Sequence, residues 1–243
     1  MIALIEGEIC LRLHSLSEAT SAALSAHKQE LCLDIQTQLS DSAVAALSAH
    51  QGKLSLIGGL NVLSEAAAAA LSAHQGELLL EGLTELSEAA ASALSAYQGD
   101  LHLYSLTELS EGAAAALSAH QGGLYLDGLT ELSEAAASAL SAHQGDLHLY
   151  SLTELSQGAA AALSAHQGEL LLEGLTELSE AAASALSAHH GELILEGLTE
   201  VSDGAAVALA KHTGKITLRL YPLDYRSQLE LRMRSARAGN CAV

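Results

Sequence analysis

The chain has 243 residues and a formal net charge of −19, and 49% of its residues are hydrophobic although it contains no Phe, no Trp and a single Pro. The apolar side chains are therefore mainly Leu and Ala. A core without large rings must be thin and regular, which favours a tandem-repeat protein over a layered globular domain. No Lys or Arg occurs between Leu54 and Ala210, and so acidic a body makes nucleic acid and anionic membranes poor partners.

The first residues, 1–6, resemble the end of a repeat helix and offer no evident cap. They lack the basic start and the long apolar run of a signal peptide. No segment approaches the roughly 20 consecutive apolar residues of a membrane span. These features predict a cytoplasmic protein that does not enter membranes.

A short phrase, Leu-Ser-Ala-His, recurs along the chain and marks a tandem repeat with a period of about 23 residues. The period is constant except for one copy that is a single residue longer, at the pair Gly58-Gly59. The last position of the phrase is occupied by His27, His50, His74, Tyr97, His120, His143, His166, His189 and His212. Residues 100–106 are repeated identically at 146–152, which indicates duplication of a two-repeat unit.

One copy, residues 76–98, illustrates the first half of the repeat. Leu78 and Leu80 alternate with the residues between them, and this period of two predicts a short strand. Gly82 follows, where a glycine permits a sharp exit from the strand. Leu83 then leads the chain back toward the interior.

The second half of the repeat predicts a helix of roughly ten residues, since 89–97 are mostly strong helix formers. Ser87 is a favourable N-cap, Leu94 is the main apolar side chain, and Gly99 has the position of a C′ glycine. A helix this short is marginal alone in water, so the copies must stack. We predict an α/β solenoid over residues 1–221, with nine to ten repeats, a parallel β-sheet on one face and short α-helices on the other.

The form Leu-x-Leu-x-Gly-Leu-Thr-x-Leu-Ser-x-x-Ala resembles the leucine-rich repeat, in which Leu-x-Leu strands line a horseshoe. Within that family it is similar to the treponemal and Leu/Ala-rich bacterial repeats of about 23 residues. It departs from the best-known consensus because Leu129 and its equivalents stand where an Asn or Cys ladder is expected. The resemblance covers residues 7–221 and implies a binding or scaffolding role without catalytic residues or a cofactor.

The copies differ mainly in two positions of the strand whose side chains should point away from the helices. The first column consists of Cys10, Cys32, Ser55, Leu79, His102, Tyr125, His148, Leu171, Ile194 and Thr217. The second column consists of Arg12, Asp34, Ile57, Glu81, Tyr104, Asp127, Tyr150, Glu173, Glu196 and Arg219. Together they form the open face of the sheet, which is concave if the solenoid curves as its relatives do.

Tyr and His are part-apolar side chains favoured at binding surfaces. The central copies therefore predict a binding site for a protein or peptide. We call it the open-face patch, and it comprises His102, Tyr104, Tyr125, Asp127, His148 and Tyr150. The alternative is that these residues arose by drift after duplication on a face that must carry some side chain.

A metal site in this patch is not expected. His102 and His148 lie two strands apart, which is about 9.6 Å by strand spacing. Both cannot reach one ion at about 2 Å without distortion, and Asp127 lies one column over. A metal- or cation-binding protein, or an enzyme using this patch, is the weakest of the functions considered.

The histidines of the repeated phrase form a second set, which we call the histidine ladder: His27, His50, His74, His120, His143, His166, His189 and His212. Each falls on the last helical turn, where a charged imidazole meets the negative end of the helix dipole and bonds free carbonyls. Stacked rings could also close the edge of the core. The functional alternative is a pH sensor, because many identical histidines could titrate together.

Two further sets of residues have simple structural explanations. A ridge of carboxylates near the helix starts is expected to be a solvated edge, and weak binding of a divalent cation or of a basic partner is the alternative. It comprises Glu85, Glu88, Glu108, Glu111, Glu131, Glu134, Glu154, Glu177, Glu180 and Glu200. Cys10 and Cys32 should be neighbours on adjacent strands. Parallel strand spacing is slightly wide for a relaxed disulfide, so we expect two free thiols.

The C-terminal segment breaks the repeat at Pro222. Residues 222–243 contain four arginines and predict either a cap or a partly disordered basic tail. A basic tail beside an acidic body favours self-association, as do exposed terminal strands. The main alternative to a binding scaffold is therefore a structural protein that assembles into homo-oligomers or filaments through its ends.

Overall fold

The computed structural model describes residues 8–219, in which ten strands alternate with nine helices. The elements are β1 Ile9–Leu13, α1 Glu18–Ser25, β2 Leu31–Ile35, α2 Asp41–Ser48, β3 Leu54–Leu56, α3 Glu65–Ser72, β4 Leu78–Leu79, α4 Glu88–Leu94, β5 Leu101–His102, α5 Glu111–Leu117, β6 Leu124–Tyr125, α6 Glu134–Leu140, β7 Leu147–His148, α7 Gln157–Leu163, β8 Leu170–Leu171, α8 Glu180–Leu186, β9 Leu193–Leu195, α9 Asp203–Leu209 and β10 Ile216–Leu218. The strands form one parallel sheet in sequence order. The predicted α/β solenoid is confirmed.

Every helix of the described region begins at a serine N-cap. The hydroxyl of Ser133, for example, accepts the backbone N–H of Ala136 at 3.1 Å, which satisfies one of the free donors of the first turn. The helices have seven or eight residues rather than the ten predicted. After Leu94 the chain forms hydrogen bonds that reach back three residues instead of four, since the N–H of Tyr97 donates to the carbonyl of Leu94 at 2.9 Å.

The core lies between the sheet and the helices and consists almost entirely of Leu and Ala. In the copy around β6, Leu124 and Leu126 of the strand and Leu129 after it are fully buried. On α6, Ala136 and Ala137 are fully buried as well. Because these alanines carry a single methyl group, each helix packs closely against the next one along the stack.

The glycine two residues after the ladder position, present from Gly52 onward, has a different role from the one predicted. Gly99 and its equivalents were expected to be C′ residues, and Gly82 to provide a sharp exit, roles that favour a positive φ. Among residues 8–219 only Gly59 has a positive φ, of 76°. A Cβ on Gly122 would instead overlap the carbonyl oxygen of Gly99 in the preceding repeat, and one on Gly82 would lie 2.7 Å from the carbonyl oxygen of Ile57. These glycines therefore allow neighbouring repeats to approach.

Three sequence predictions concern residues outside the described region. They are the cap or basic tail at 222–243, the helix end at 1–6 and the outer limits of the 1–221 solenoid. All three stay predictions. Within 8–219, no helix is long and apolar enough to cross a membrane.

Candidate binding face of the open sheet

The first column is in register along the whole sheet. Strand pairing places Cys10 opposite Cys32, and the alignment continues to Thr217 opposite Ile194. At the centre, His102 pairs with Tyr125 and Tyr125 with His148. The predicted column is therefore a continuous row on the sheet face opposite to the buried leucines.

The repeat unit now has a defined geometry. Each repeat gives one strand to a continuous parallel sheet and one short helix to the opposite side. Its Leu-x-Leu strand residues and the leucine after the following glycine point into the core. The chain has a leucine-rich-repeat fold. The repeat resemblance predicted from the sequence is confirmed at the level of the fold.

Comparison with known proteins gives little beyond this. No protein-family model matches the chain, and no curated protein matches it. Among solved structures, it is similar to a leucine-rich-repeat protein of Leptospira interrogans, with 14% sequence identity and a TM-score of 0.36. That match covers 91% of this chain and 74% of the other.

The centre of the open face is a stack of three rings on β5, β6 and β7. The centroids of His102 and Tyr125 are 4.3 Å apart, and those of Tyr125 and His148 are 3.9 Å apart with planes inclined by 19°. Successive strands of a parallel sheet are about 4.8 Å apart, which is close to the stacking distance of aromatic rings. Both faces of Tyr125 are thus covered by imidazoles.

Tyr104 joins this stack from the second column. Its hydroxyl forms a 2.7 Å hydrogen bond with Nδ1 of His102. Its ring meets Tyr125 edge to face, with centroids 6.3 Å apart and planes at 80°. Four of the six side chains of the open-face patch therefore form one packed cluster.

The other two residues of the patch lie beside that cluster. Tyr150 is 58% exposed and extends into solvent. Its backbone N–H lies 3.4 Å from a carboxylate oxygen of Asp127, which is half-buried. The structure thus brings His102, Tyr104, Tyr125 and His148 into contact, with Asp127 and Tyr150 on their flank.

The imidazoles of the cluster are held in their neutral form. Burial lowers the pKa of His102 and of His148, although neighbouring carboxylates, Asp127 among them, oppose this effect. Burial likewise raises the pKa of Tyr104 and of Tyr125, and nearby carboxylates add to the rise. At neutral pH these four rings therefore carry no charge.

A third row of the open face was not recognised from the sequence. It lies one residue before each strand, and we call it the edge column: Glu8, Glu30, Lys53, Glu77, Asp100, Gly123, Asp146, Glu169, Glu192 and Lys215. Side chains of a strand alternate between faces, so this position shares the open face with the first column. The missed signal was the appearance of Lys and Gly in an otherwise acidic row.

The rings do not converge on a point where a metal ion could sit. His102 and His148 lie on opposite faces of Tyr125. Within residues 8–219, no group of three or more His, Cys, Asp or Glu side chains is arranged to hold a metal ion. The available chemistry is that of ring contact, hydrogen bonding and negative charge.

The histidine ladder is an internal feature of the fold. Rings from His120 to His212 stack with centroids 6.0–6.3 Å apart, so the predicted stacking is present. Both ring nitrogens of His74 face carbonyls of the preceding repeat, those of Ser48 at 3.3 Å and Gly52 at 3.1 Å. Tyr97 replaces the histidine once and donates its hydroxyl to the carbonyl of Gly76.

The positive charge predicted for the ladder is wrong for its central rings, because those rings are buried. From His120 to His189 the rings are fully buried, and burial lowers their pKa. For His143, burial and the neighbouring His166 and His120 lower the pKa to about 4. A cationic ring at the helix end would need solvent that the stacked repeats exclude.

Cys10 and Cys32 are opposite one another on β1 and β2 and are free, as predicted. The thiol of Cys10 donates to a carboxylate oxygen of Glu8 at 3.2 Å, which together with Cys32 raises its pKa to about 12. The carboxylate ridge predicted at the helix starts is exposed, as at Glu85 and Glu108. Its role as a solvated edge stays a prediction.

Proposed function

We propose that this protein is a non-enzymatic scaffold that binds a protein or peptide partner on the open face of its sheet, at the open-face patch. The observation that carries the proposal is the four-ring cluster of His102, Tyr104, Tyr125 and His148 on a solvent-facing sheet. Aromatic rings with polar edges are typical of binding surfaces. The neighbouring copies place aliphatic or charged side chains in the same columns.

The packing of the rings also supports binding. Rings already fixed by neighbours lose little conformational freedom when a partner arrives, which favours affinity. The hydrogen-bonded pair of Tyr104 and His102 is unsuited to nucleophilic chemistry because the pKa of Tyr104 is raised and its hydroxyl stays protonated. It is better suited to fix the orientation of the two rings.

Replacing Tyr104, Tyr125 and Tyr150 together with Ala tests the proposal. We expect the full-length variant to lose the partners that the wild-type chain retains in pull-downs from its native cell, since the contacting rings are gone. A matched control replaces Leu171, Ile194 and Thr217 of the same face with Ala. Equal retention of every partner by both variants, with thermal unfolding unchanged, would contradict a binding role for the patch.

A second function, self-assembly through the solenoid ends, has one observation in its favour. Side chains that are fully buried in central repeats are half-buried at both ends of the described region, at Leu11 of β1 and Leu218 of β10, for example. Apolar strand residues at an open end favour stacking on another copy.

Light scattering during size-exclusion chromatography separates the two functions. A scaffold keeps the mass of one chain, 24.9 kDa, as its concentration is raised. Assembly through the ends predicts a mass that grows with concentration. A mass that stays at that of one chain over a hundredfold dilution series would remove the assembly proposal.

A further inference from the structure

Cys10 on β1 and Cys32 on β2 lie directly opposite one another in the sheet, and both carry free thiols. Both belong to the first column, so both side chains point to the open face. Cys10 is exposed and Cys32 is half-buried. The pair can therefore be reached from solvent, at a place three strands away from the ring cluster, which begins on β5.

The two thiols also contact one another. The thiol of Cys10 donates to a carboxylate oxygen of Glu8 at 3.2 Å. This hydrogen bond and a second one with Cys32 raise the pKa of Cys10 to about 12. Cys10 therefore stays protonated at neutral pH, whereas oxidants and disulfides react with a thiolate. The surroundings of Cys10 thus oppose a redox switch.

The spacing of the pair suits a bridging metal ion better than a disulfide. Parallel strands hold two side chains of one column about 4.8 Å apart. A disulfide draws the two Cβ atoms to about 3.5–4.5 Å and the two sulfurs to about 2.05 Å. A bond between a thiolate and a first-row metal ion is about 2.3 Å long, so two such bonds in line span about 4.6 Å. An ion can therefore lie between the sulfurs without movement of the strands.

The number of ligands decides which ion fits. Zinc takes four ligands, and iron–sulfur clusters are held by four cysteines. Within residues 8–219, no group of three or more His, Cys, Asp or Glu side chains is arranged to hold a metal ion. Ser55, the next residue of the column after Cys32, donates its hydroxyl to Glu81 at 3.1 Å. A soft ion that is satisfied by two thiolates remains, and Cu(I) has this preference.

We propose that Cys10 and Cys32 together bind one Cu(I) ion, in line between their sulfurs on the open face of β1 and β2. Binding breaks two S–H bonds, forms two copper–sulfur bonds and releases two protons to water, and no electron is transferred. Metal binding supplies the free energy for this loss of protons. The carboxylate of Glu8 already accepts the Cys10 hydrogen bond and provides the path for the first proton. The inference does not depend on the proposed function.

The test titrates the full chain with Cu(I), under anaerobic conditions, in competition with a chromogenic Cu(I) chelator. A Cys241→Ser variant is titrated beside the wild type, so that Cys10 and Cys32 are its remaining cysteines. We expect both proteins to take up one ion per chain, with two sulfur neighbours in X-ray absorption spectra. Failure to compete with the chelator, one ion for two chains, or loss of binding in Cys241→Ser would each overturn the proposal.

Single substitutions identify the ligands. In the Cys241→Ser chain, Cys10→Ser and Cys32→Ser should each weaken Cu(I) binding by at least about a hundredfold, since even residues that only support a metal ligand contribute about 10–100-fold. Cys10 is exposed, so its replacement by Ser leaves the core intact, and thermal unfolding checks this. Binding that survives in either single variant contradicts the pair.

A shift of the pair by one strand tests the spacing itself. Ser55 is the partner of Cys32 on β3, so Ser55→Cys should restore binding in a chain that carries Cys10→Ser. The matched control adds Arg12→Cys to the same chain, which places the second thiol diagonally from Cys32, about 8 Å away by strand spacing and rise. We expect no restoration there. Equal binding by both chains, or by neither, would show that strand register does not create the site.

Discussion

Replacing His143 with Tyr should make the protein more resistant to acid than the wild type. His143 lies fully buried in the histidine ladder, where burial and the rings of His120 and His166 lower its pKa to about 4. In the unfolded chain its pKa is about 6.5. Below that pH the unfolded state binds more protons than the folded state, so the free energy of unfolding falls as the pH falls.

The size of the effect follows from the two pKa values. With pKa values of about 4 and 6.5, His143 contributes about 2 kcal/mol less to stability at pH 5 than at neutral pH. His120, His166 and His189 also have a lowered pKa and add to the loss in the same direction. The stability that His143 provides is complete above about pH 6.5 and is lost as the pH falls toward about 4.

Tyr is the appropriate replacement because the chain already uses it once. Tyr97 is buried in the ladder and donates its hydroxyl to the carbonyl of Gly76. A tyrosine at 143 can therefore donate to the preceding repeat as Tyr97 does, while removing one titrating group. The free energy of unfolding of both proteins is measured in urea at about pH 7.5 and about pH 5. The change with pH in the wild type minus that in the variant gives the contribution of this ring.

The comparison is needed because acid also acts on the carboxylates. Lowering the pH neutralises part of the net charge of −19 and relieves repulsion, for instance at Glu169, which stabilises the fold. This stabilisation by neutralised carboxylates is the same in the wild type and in the variant. Stabilities that fall in parallel in both proteins would show that His143 does not couple protons to folding.

The strand columns could be predicted from the sequence because they depend on the repeat length alone. A constant repeat length puts His102, Tyr125 and His148 on neighbouring strands at the same level. Strand alternation then decides that they face away from Leu101 and its equivalents. Neither step requires knowledge of how closely the repeats pack.

The predictions that were wrong, and the row of residues that was missed, depend on how closely the repeats pack. The charge of the ladder and the role of the glycines are both set by the distance between repeats, which no single copy of the repeat encodes. The edge column was missed because an acidic residue before a strand is usually solvated. The ion pairs and ring contacts of this column appear only in the structure, where Lys53 bridges Glu30 and Glu77 and Gly123 lies beside Tyr125.

Replacing Gly145 with Ala should destabilise the protein strongly, by about 3 kcal/mol or more. A Cβ at this position would overlap the carbonyl oxygen of Gly122 and would lie 2.9 Å from Nε2 of His143. Because the carbonyl oxygen of Gly122 belongs to the backbone, the two repeats must separate to make room for the Cβ. Separation weakens strand pairing and reopens the Leu/Ala core at one interface of the stack.

Gly123 provides the matched control, because it lies in the same turn of the preceding repeat. A Cβ there would meet the ends of two side chains, Asp100 at 3.2 Å and Tyr125 at 3.3 Å, which can shift by a few tenths of an ångström. We expect Gly123→Ala to change the free energy of unfolding by less than about 0.5 kcal/mol. Equal losses in both variants would contradict close approach as the reason for the glycine.

The same close approach explains why histidine and glycine occur together in the repeat. Nε2 of His74 lies 3.1 Å from the carbonyl oxygen of Gly52, and Nε2 of His212 lies 3.1 Å from that of Gly191. A side chain on Gly76 or Gly214, two residues after these histidines, would overlap the carbonyl to which the ring is bonded. At Gly145 a Cβ would also crowd Nε2 of His143, at 2.9 Å, so we expect Gly145→Ala to cost less in a chain that already carries His143→Ala.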